Sequence, residues 1–176
     1  MAHSNYKFKT MKSPVGILTL VASNKGLAGI LWENETLKKA KFEPRVLDEQ
    51  NSILQETEKQ LNEFFKRERT VFNLPLDFKG TDFQKAVWAE LLKTPFGTLR
   101  SYGDIAKAIG NVKAVRAVGA ANGKNPIPII CPCHRIIGAD GSLTGFAGGL
   151  NAKTILLGLE DNHFNATHKL IADATI

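Results

Sequence analysis

The chain has 176 residues, 43% of them hydrophobic, which is enough for one large domain or two small ones with a packed core. Its 23 Lys and Arg outnumber 17 Asp and Glu, and the formal net charge of +6 is compatible with nucleic acid binding without being specific to it. No apolar run is as long as a membrane span, and the first residues lack an apolar signal core. Cys131 and Cys133 are too close together for a disulfide framework. We therefore expect a cytoplasmic protein with no membrane partner, nucleoid-associated if bacterial.

The first part of the chain predicts an antiparallel sheet. Residues 6–12, 17–23 and 27–32 have the residue pattern of strands, and the turn sequences Ser13-Pro14-Val15-Gly16 and Asn24-Lys25-Gly26 separate them. Because the connections are so short, we predict a three-stranded antiparallel meander.

One amphipathic helix is predicted to cover this sheet. It follows Ser52, after a charged stretch in which only a short helix at 36–40 is predicted. The residues that face the sheet recur at helical spacing and are apolar except for one threonine: Ile53, Leu54, Thr57, Leu61, Phe64 and Phe65. Residues 71–78 indicate an extended linker, which completes a first domain at 1–80.

The next part of the chain predicts helices. Thr81 and Gln84 have the spacing of a capping box, which predicts the start of a helix. Two short helices are predicted at 104–109 and 112–121, and Gly110-Asn111 forms the turn between them. This is the layout of a helix-turn-helix.

The second of these short helices is rich in small residues around Arg116. Small side chains permit close backbone approach, either to a neighbouring helix in the core or to a groove of DNA, and both interpretations remain open. The small residues are Ala114, Ala117, Gly119, Ala120 and Ala121. Basic residues also concentrate here: between residues 85 and 135 there are Lys85, Lys93, Arg100, Lys107, Lys113, Arg116, Lys124 and Arg135, against Glu90 and Asp104.

The dipeptide Cys133-His134 is the main candidate for a reactive site. The apolar run 127–130 predicts a buried strand that leads into it, and three prolines stiffen the surrounding turn. Burial raises the pKa of a thiol, so a nucleophilic Cys needs a base within reach, and His134 is adjacent. By itself the dipeptide is more typical of a core Cys beside a surface His.

The remaining segments predict a small hairpin and a last helix. Asp140-Gly141 indicates a hairpin turn, residues 145–149 a flexible loop, and Asn151 the cap of a final helix. Residues 163–176 have no strong pattern, and we expect a loosely ordered tail there.

The sequence Pro132-Cys133-His134-Arg135, with Asn125-Pro126 before it and Gly145-Phe146-Ala147-Gly148-Gly149 after it, resembles the O6-alkylguanine-DNA alkyltransferases. The resemblance extends from about Phe83 to Glu160, whereas the first eighty residues match only in general layout. It implies an α+β fold, with a ribonuclease-H-like N-terminal domain that contains the sheet and its covering helix. It also implies a mainly helical, winged-helix-like domain at 81–162 that binds DNA and accepts the alkyl group.

This resemblance implies a single-turnover DNA repair activity with no metal and no other cofactor. Cys133 would take the alkyl group from O6-alkylguanine, and whether O4-alkylthymine is also a substrate stays open. Glu160 would orient His134, which would take the thiol proton through a water molecule, and Asn125 would brace the turn around the cysteine. Tyr102 is expected to donate a hydrogen bond to the flipped base. The expected partner is double-stranded DNA containing O6-alkylguanine, bound by a monomer.

The same resemblance implies the DNA contacts, because the target base must leave the stack. Arg116 would occupy the vacated space while its helix lies in the minor groove, and Tyr102 would crowd the flanking phosphate. Further DNA contacts are expected from Ser101, Ala117 and Ala120, and the pocket wall from Phe146, Ala147 and Gly148. The chain departs from the family pattern at Ala147, where some members have Ser, and at Leu159 and Cys131.

Three other functions remain open from the sequence alone. One is a helix-turn-helix regulator in which Cys133 senses redox state. Another is a module that binds alkylated DNA without repairing it, although relatives of that kind lack the cysteine. The third is a thiol hydrolase, for which no path for water is identified.

Overall fold

The computed structural model describes residues 6–161, and the chain divides into two compact units between Lys79 and Gly80. Both contain helices and strands, in agreement with the predicted α+β class. The tail predicted at 163–176 lies outside the described residues. Across 6–161, none of the helices combines the length and apolar character needed to cross a membrane.

The first unit contains a four-stranded sheet. Strands β1 (Tyr6–Ser13), β2 (Gly16–Ala22) and β3 (Leu27–Leu31) form antiparallel neighbours, which confirms the predicted meander. The prediction missed β4 (Arg45–Leu47), which pairs in parallel with β1 and completes the order β3-β2-β1-β4. A strand of three residues in a charged stretch has no local pattern that distinguishes it from a loop.

Two helices accompany this sheet. Helix α1 (Thr36–Ala40) lies where the short helix is predicted. Helix α2 (Ser52–Phe65) packs against β1, β2 and β3, as expected of the covering helix, and the side chain of Asn51 caps its first turn. Its buried residues are Leu54, Thr57, Gln60, Leu61 and Phe64.

The predicted linker is extended, and it adds to the edge of the sheet beside β3. Leu27 N donates to Pro75 O at 2.8 Å, and Asp77 N donates to Leu27 O at 2.8 Å. A Cβ atom at residue 26 would lie 2.6 Å from Pro75 O, so Gly26 is required for this close approach.

The second unit is mainly helical. Helix α3 (Asp82–Leu92) begins with the predicted capping box of Thr81 and Gln84. Helices α4 (Tyr102–Ala108) and α5 (Val115–Gly123) confirm the helix-turn-helix, but both start points differ from the prediction. Ser101 caps α4, so α4 begins two residues early, and a turn at 111–114 delays the start of α5.

Short parallel strands and a last helix complete this unit. Strand β5 (Arg100–Ser101) precedes α4 and pairs with β6 (Ile136–Ile137), while α6 (Leu150–Glu160) ends the described chain. The hairpin predicted at 140–141 is wrong: Gly138 N donates to Ser142 O at 2.9 Å, which closes a turn, but no second strand of a hairpin forms within 138–149. The predicted cap at Asn151 is also wrong, because α6 begins at Leu150 and its N-cap residue is Gly149.

The strand predicted at 127–130 is wrong as well. These residues form a tight turn in which Cys131 N donates to Ile127 O at 2.9 Å. Ile129 has a φ of 75°, which is strained for a β-branched residue. Ile127, Ile129 and Ile130 are buried as expected, although they do not belong to a strand.

Candidate active site around Cys133

Cys133 begins a short 3-10 turn, Cys133–Arg135, directly after the strained segment. The side-chain amide of Asn125 fixes the backbone in front of it: Nδ2 donates to Cys131 O at 2.8 Å, and Oδ1 accepts from Ile127 N at 3.0 Å. Asn125 is itself buried, so these bonds are shielded from water. Cys133 follows the segment that Asn125 fixes, and it is 4% exposed.

His134 and Glu160 form a buried pair beside the cysteine. Nε2 of His134 lies 2.7 Å from Oε2 of Glu160, the last residue of α6. Their side chains are 0% and 2% exposed. Gly97 N also donates to Oε1 of Glu160 at 3.1 Å, so the carboxylate is held from more than one direction.

Arg135 is a second charged partner of Glu160, and the sequence did not reveal it. Nε and Nη2 of Arg135 donate to the two carboxylate oxygens at 2.8 and 2.9 Å, and Nη1 donates to Thr94 O at 2.7 Å. Although the sequence counts Arg135 among the basic residues between 85 and 135, its side chain is buried and its charge is paired, so it adds nothing to a basic surface. The partner lies 25 residues away, and no local pattern links the two.

These contacts and burial determine the pKa shifts of Glu160 and His134. Burial raises the pKa of Glu160, but the hydrogen bonds from His134 and Arg135, with the guanidinium charge, outweigh this and lower the pKa to about 2. Burial lowers the pKa of His134 below its ordinary value, although Glu160 acts to raise it. At neutral pH we therefore expect an ionised carboxylate and a neutral imidazole.

This charge state leaves one nitrogen of His134 as a base. An ionised carboxylate can only accept a hydrogen bond, so Nε2 of His134 carries the proton and donates to Glu160, and Nδ1 keeps a lone pair. Nδ1 is buried, and no hydrogen-bond partner for it occurs among residues 6–161. Nδ1 is therefore the nitrogen of His134 that remains able to accept a proton.

A buried lysine near the cysteine is a further feature that the sequence did not reveal. Lys153, on α6, is completely buried, and its Nζ donates to Ile136 O at 2.6 Å. Burial lowers the pKa of Lys153 to about 8, and the charge of Cys133 acts in the opposite direction. A positive charge near the sulfur favours the thiolate form of Cys133. The spacing of Lys153 from Leu156 and Leu157, three and four residues, was the available signal for burial.

The second cysteine has a different environment. The thiol of Cys131 donates to Trp88 O at 3.6 Å and is completely buried. Burial is the main cause that raises the pKa of Cys131 well above its ordinary value. A raised pKa makes the Cys131 thiol a poor nucleophile at neutral pH. No group of three or more His, Cys, Asp or Glu side chains suited to hold a metal ion occurs within 6–161.

Helix α5 uses its small residues on two faces. Arg116, Ala117 and Ala120 are exposed, whereas Ala121 packs inward and its carbonyl oxygen accepts from Nε1 of Trp88 at 2.9 Å. The packing interpretation therefore holds for Ala121, while Ala117 and Ala120 are left exposed. The exposed basic residues of this unit are Lys85, Lys93, Lys107, Lys113, Arg116 and Lys124.

Ser101 and Tyr102 lie at the start of α4. The Ser101 hydroxyl accepts from Asp104 N at 3.0 Å, so it is used to cap the helix. Tyr102 is half-buried, and its hydroxyl lies 2.6 Å from the hydroxyl of Thr144. The sequence prediction did not include Thr144.

The predicted pocket residues lie in the loop that contains Thr144, between β6 and α6. Phe146 and Gly148 are half-buried and Ala147 is exposed. Nζ of Lys153 lies 6.0 Å from the centre of the Phe146 ring, so the loop and Cys133 are near the same buried lysine.

Fold and site together define a class of protein: a helix-turn-helix unit that carries a buried cysteine beside a His-carboxylate pair. Comparison with known protein families identifies the family within this class. The family described as "6-O-methylguanine DNA methyltransferase, ribonuclease-like domain" matches residues 6–78, and "6-O-methylguanine DNA methyltransferase, DNA binding domain" matches residues 82–162. The chain belongs to the 6-O-methylguanine DNA methyltransferase family.

Individual relatives are similar to this chain over most of its length. A methylated-DNA–protein-cysteine methyltransferase of Mycolicibacterium paratuberculosis is 42% identical over 163 residues, which cover 92% of this chain and 96% of that protein. The crystal structure of the Mycobacterium tuberculosis O6-methylguanine methyltransferase has 44% identity and a TM-score of 0.81, covering 89% of this chain and 93% of that one. A structure of Mycobacterium tuberculosis OGT in complex with DNA has 45% identity and a TM-score of 0.80, covering 89% and 92%.

Proposed function

We propose that this protein repairs DNA by moving the alkyl group of O6-alkylguanine from the base to its own Cys133. The observation that carries this proposal is the buried His134, next to Cys133 in the chain, whose Nε2 is hydrogen-bonded to Glu160 and whose Nδ1 has no hydrogen-bond partner among residues 6–161. Its membership of the methyltransferase family supports the same chemistry.

The transfer is a displacement at carbon. His134 Nδ1 takes the thiol proton of Cys133 through a water molecule, and Glu160 stabilises the imidazolium that forms. The sulfur attacks the alkyl carbon, the bond from that carbon to O6 breaks, and its electron pair stays on the base. The proton removed from the thiol balances this charge and ends on the released guanine. Lys153 stabilises the thiolate before attack, because it brings a positive charge near Cys133.

The reaction runs once for each protein molecule. Its product is a thioether on Cys133, which is chemically inert, and the proposed residues provide no route to cleave it. The chemistry uses only this chain and its substrate, so it requires no cofactor. The protein is consumed in a stoichiometric reaction, and it acts as a monomer.

Residues 81–162 bind the double-stranded DNA, and 1–80 form the accompanying α/β domain. The exposed face of α5 enters the minor groove, where Ala117 and Ala120 permit close approach and Arg116 fills the space of the flipped nucleotide. Ser101 and Tyr102 contact the backbone and the flipped nucleotide from α4. Phe146, Ala147 and Gly148 form the pocket wall, and backbone amides replace the Ser hydroxyl that Ala147 lacks.

A redox-sensing regulator is not favoured. Redox sensors expose a thiol of low pKa, whereas Cys133 and Cys131 are both buried, and burial raises the pKa of Cys131.

The variant Glu160→Gln tests the proposed relay. The amide that replaces the carboxylate cannot supply the negative charge that stabilises the imidazolium. Because His134 itself remains, transfer from an O6-methylguanine duplex should lose only part of a general-base contribution and slow by roughly tenfold to a thousandfold. DNA affinity should remain nearly unchanged, because Glu160 is buried away from the exposed basic residues. Single-turnover rates at saturating protein measure the effect.

Asp161→Asn provides the matched control. It removes the neighbouring carboxylate, which is exposed, and should leave the rate at the wild-type value. Because Glu160→Gln also leaves Arg135 without its ion-pair partner, rates are compared at a temperature where thermal unfolding shows both variants folded. An unchanged rate in folded Glu160→Gln would show that Cys133 is activated in another way.

A further inference from the structure

The Tyr102 hydroxyl has a structural partner outside the proposed catalytic residues. Its oxygen lies 2.6 Å from Oγ1 of Thr144, which is exposed in the loop between β6 and α6. Turns close this loop on both sides of Thr144: Gly138 N donates to Ser142 O, and Gly149 N donates to Phe146 O, each at 2.9 Å. The Thr144 bond therefore connects the stretch between these turns to helix α4.

The ring of Tyr102 is held independently of Thr144. Ser101 pairs with Ile137 across β5 and β6 and caps α4, so the backbone at the start of α4 is fixed. The ring also lies beside α5, because a Cβ atom added at Gly119 would be 3.9 Å from it. Removing the Thr144 hydroxyl should thus leave the ring in place and change only the hydroxyl group.

At this distance one of the two hydroxyls donates its proton to the other, and either could be the donor. If Tyr102 donates to Thr144, its phenolic proton is already used. If Thr144 donates to Tyr102, the phenolic proton is available for another acceptor, and a hydroxyl that accepts one bond donates the next more strongly.

We propose that Thr144 is a positioning residue for alkyl transfer: it donates its hydroxyl proton to Tyr102 and so directs the phenolic proton to an acceptor atom on the flipped base. This inference rests on the proposed function, in which Tyr102 contacts the flipped nucleotide. It adds to that function a residue of the pocket loop that acts through another residue and does not itself touch the base.

A pair of substitutions separates the hydroxyl from the shape of the side chain. Thr144→Val keeps the branched shape without a donor, and Thr144→Ser keeps the donor. We expect Thr144→Val to lower the transfer rate at saturating O6-methylguanine duplex by about threefold to tenfold, the range of one net hydrogen bond, and Thr144→Ser to keep a rate close to that of the wild type. Thermal unfolding midpoints of both variants establish that the loop change has not destabilised the fold.

The double variant with Tyr102→Phe decides whether Thr144 acts through Tyr102. In the Tyr102→Phe background, Thr144→Val should cause little further loss, since the group that it orients is already absent. A wild-type rate in Thr144→Val, a loss in Thr144→Ser equal to that in Thr144→Val, or a full loss that persists in Tyr102→Phe would each overturn the inference while wild-type transfer remains intact. A wild-type protein that forms no adduct would overturn the proposed function itself.

Discussion

Replacing Cys133 with serine is expected to abolish alkyl transfer while the protein still binds duplex DNA. A hydroxyl ionises far less readily than a thiol, and the neutral His134 is too weak a base to deprotonate it to a useful extent. The exposed basic residues of the second unit are unaffected, so the electrostatic part of DNA binding should persist. Incubation with an O6-methylguanine duplex, followed by intact mass measurement, should show no adduct in the time that fully alkylates the wild type.

Cys131→Ala is the matched control for this substitution. It removes the other buried thiol, whose hydrogen-bond partner is Trp88 O, and it leaves the hydrogen bond between His134 and Glu160 unchanged. We expect it to form the adduct as the wild type does. An adduct in Cys133→Ser, or loss of the adduct in Cys131→Ala with folding intact, would mean that the nucleophile is wrongly assigned.

Replacing Arg116 with alanine is expected to slow repair of duplex DNA much more than reaction with the free modified base. In the proposed function Arg116 fills the space that the flipped nucleotide leaves, and that role exists only in a duplex. Flipping costs a few kcal/mol, so loss of the side chain should lower the duplex rate by roughly tenfold to a thousandfold. Single-turnover rates with duplex O6-methylguanine and with free O6-methylguanine give the comparison.

Lys107→Ala controls for the loss of one positive charge. Lys107 is exposed on α4, so its removal should weaken binding modestly in a salt-dependent way and leave the rate at saturating DNA unchanged. Equal losses on duplex and free base in Arg116→Ala would contradict its assignment to base flipping.

The features that the sequence predicted correctly depend on neighbours along the chain. The capping box of Thr81 and Gln84 and the alternating strands β1 to β3 are specified by residues a few positions apart. The spacing of the apolar residues of α2 is also a local pattern. All these elements therefore lie close to their predicted positions.

The features that the sequence missed depend on distant partners. Strand β4 exists because it pairs with β1, and the buried charge of Arg135 is stable because Glu160 accepts from it. The apolar run at 127–130 predicted burial correctly but not backbone conformation, since a short apolar run is buried equally well in a turn. Within the proposed site, the family motif was enough to single out Cys133 and His134 as candidates, whereas the contacts of Lys153 and Thr144 required the fold.

The central claim is that Cys133 accepts one alkyl group irreversibly, and the mass of the wild-type protein after reaction tests it most directly. With excess O6-methylguanine duplex, each active molecule should gain one methyl group, which peptide mapping should locate on Cys133, and unmethylated duplex should cause no change. Methylation on Cys131, repeated turnover by each protein molecule, or an equal mass change with unmethylated DNA would contradict the account.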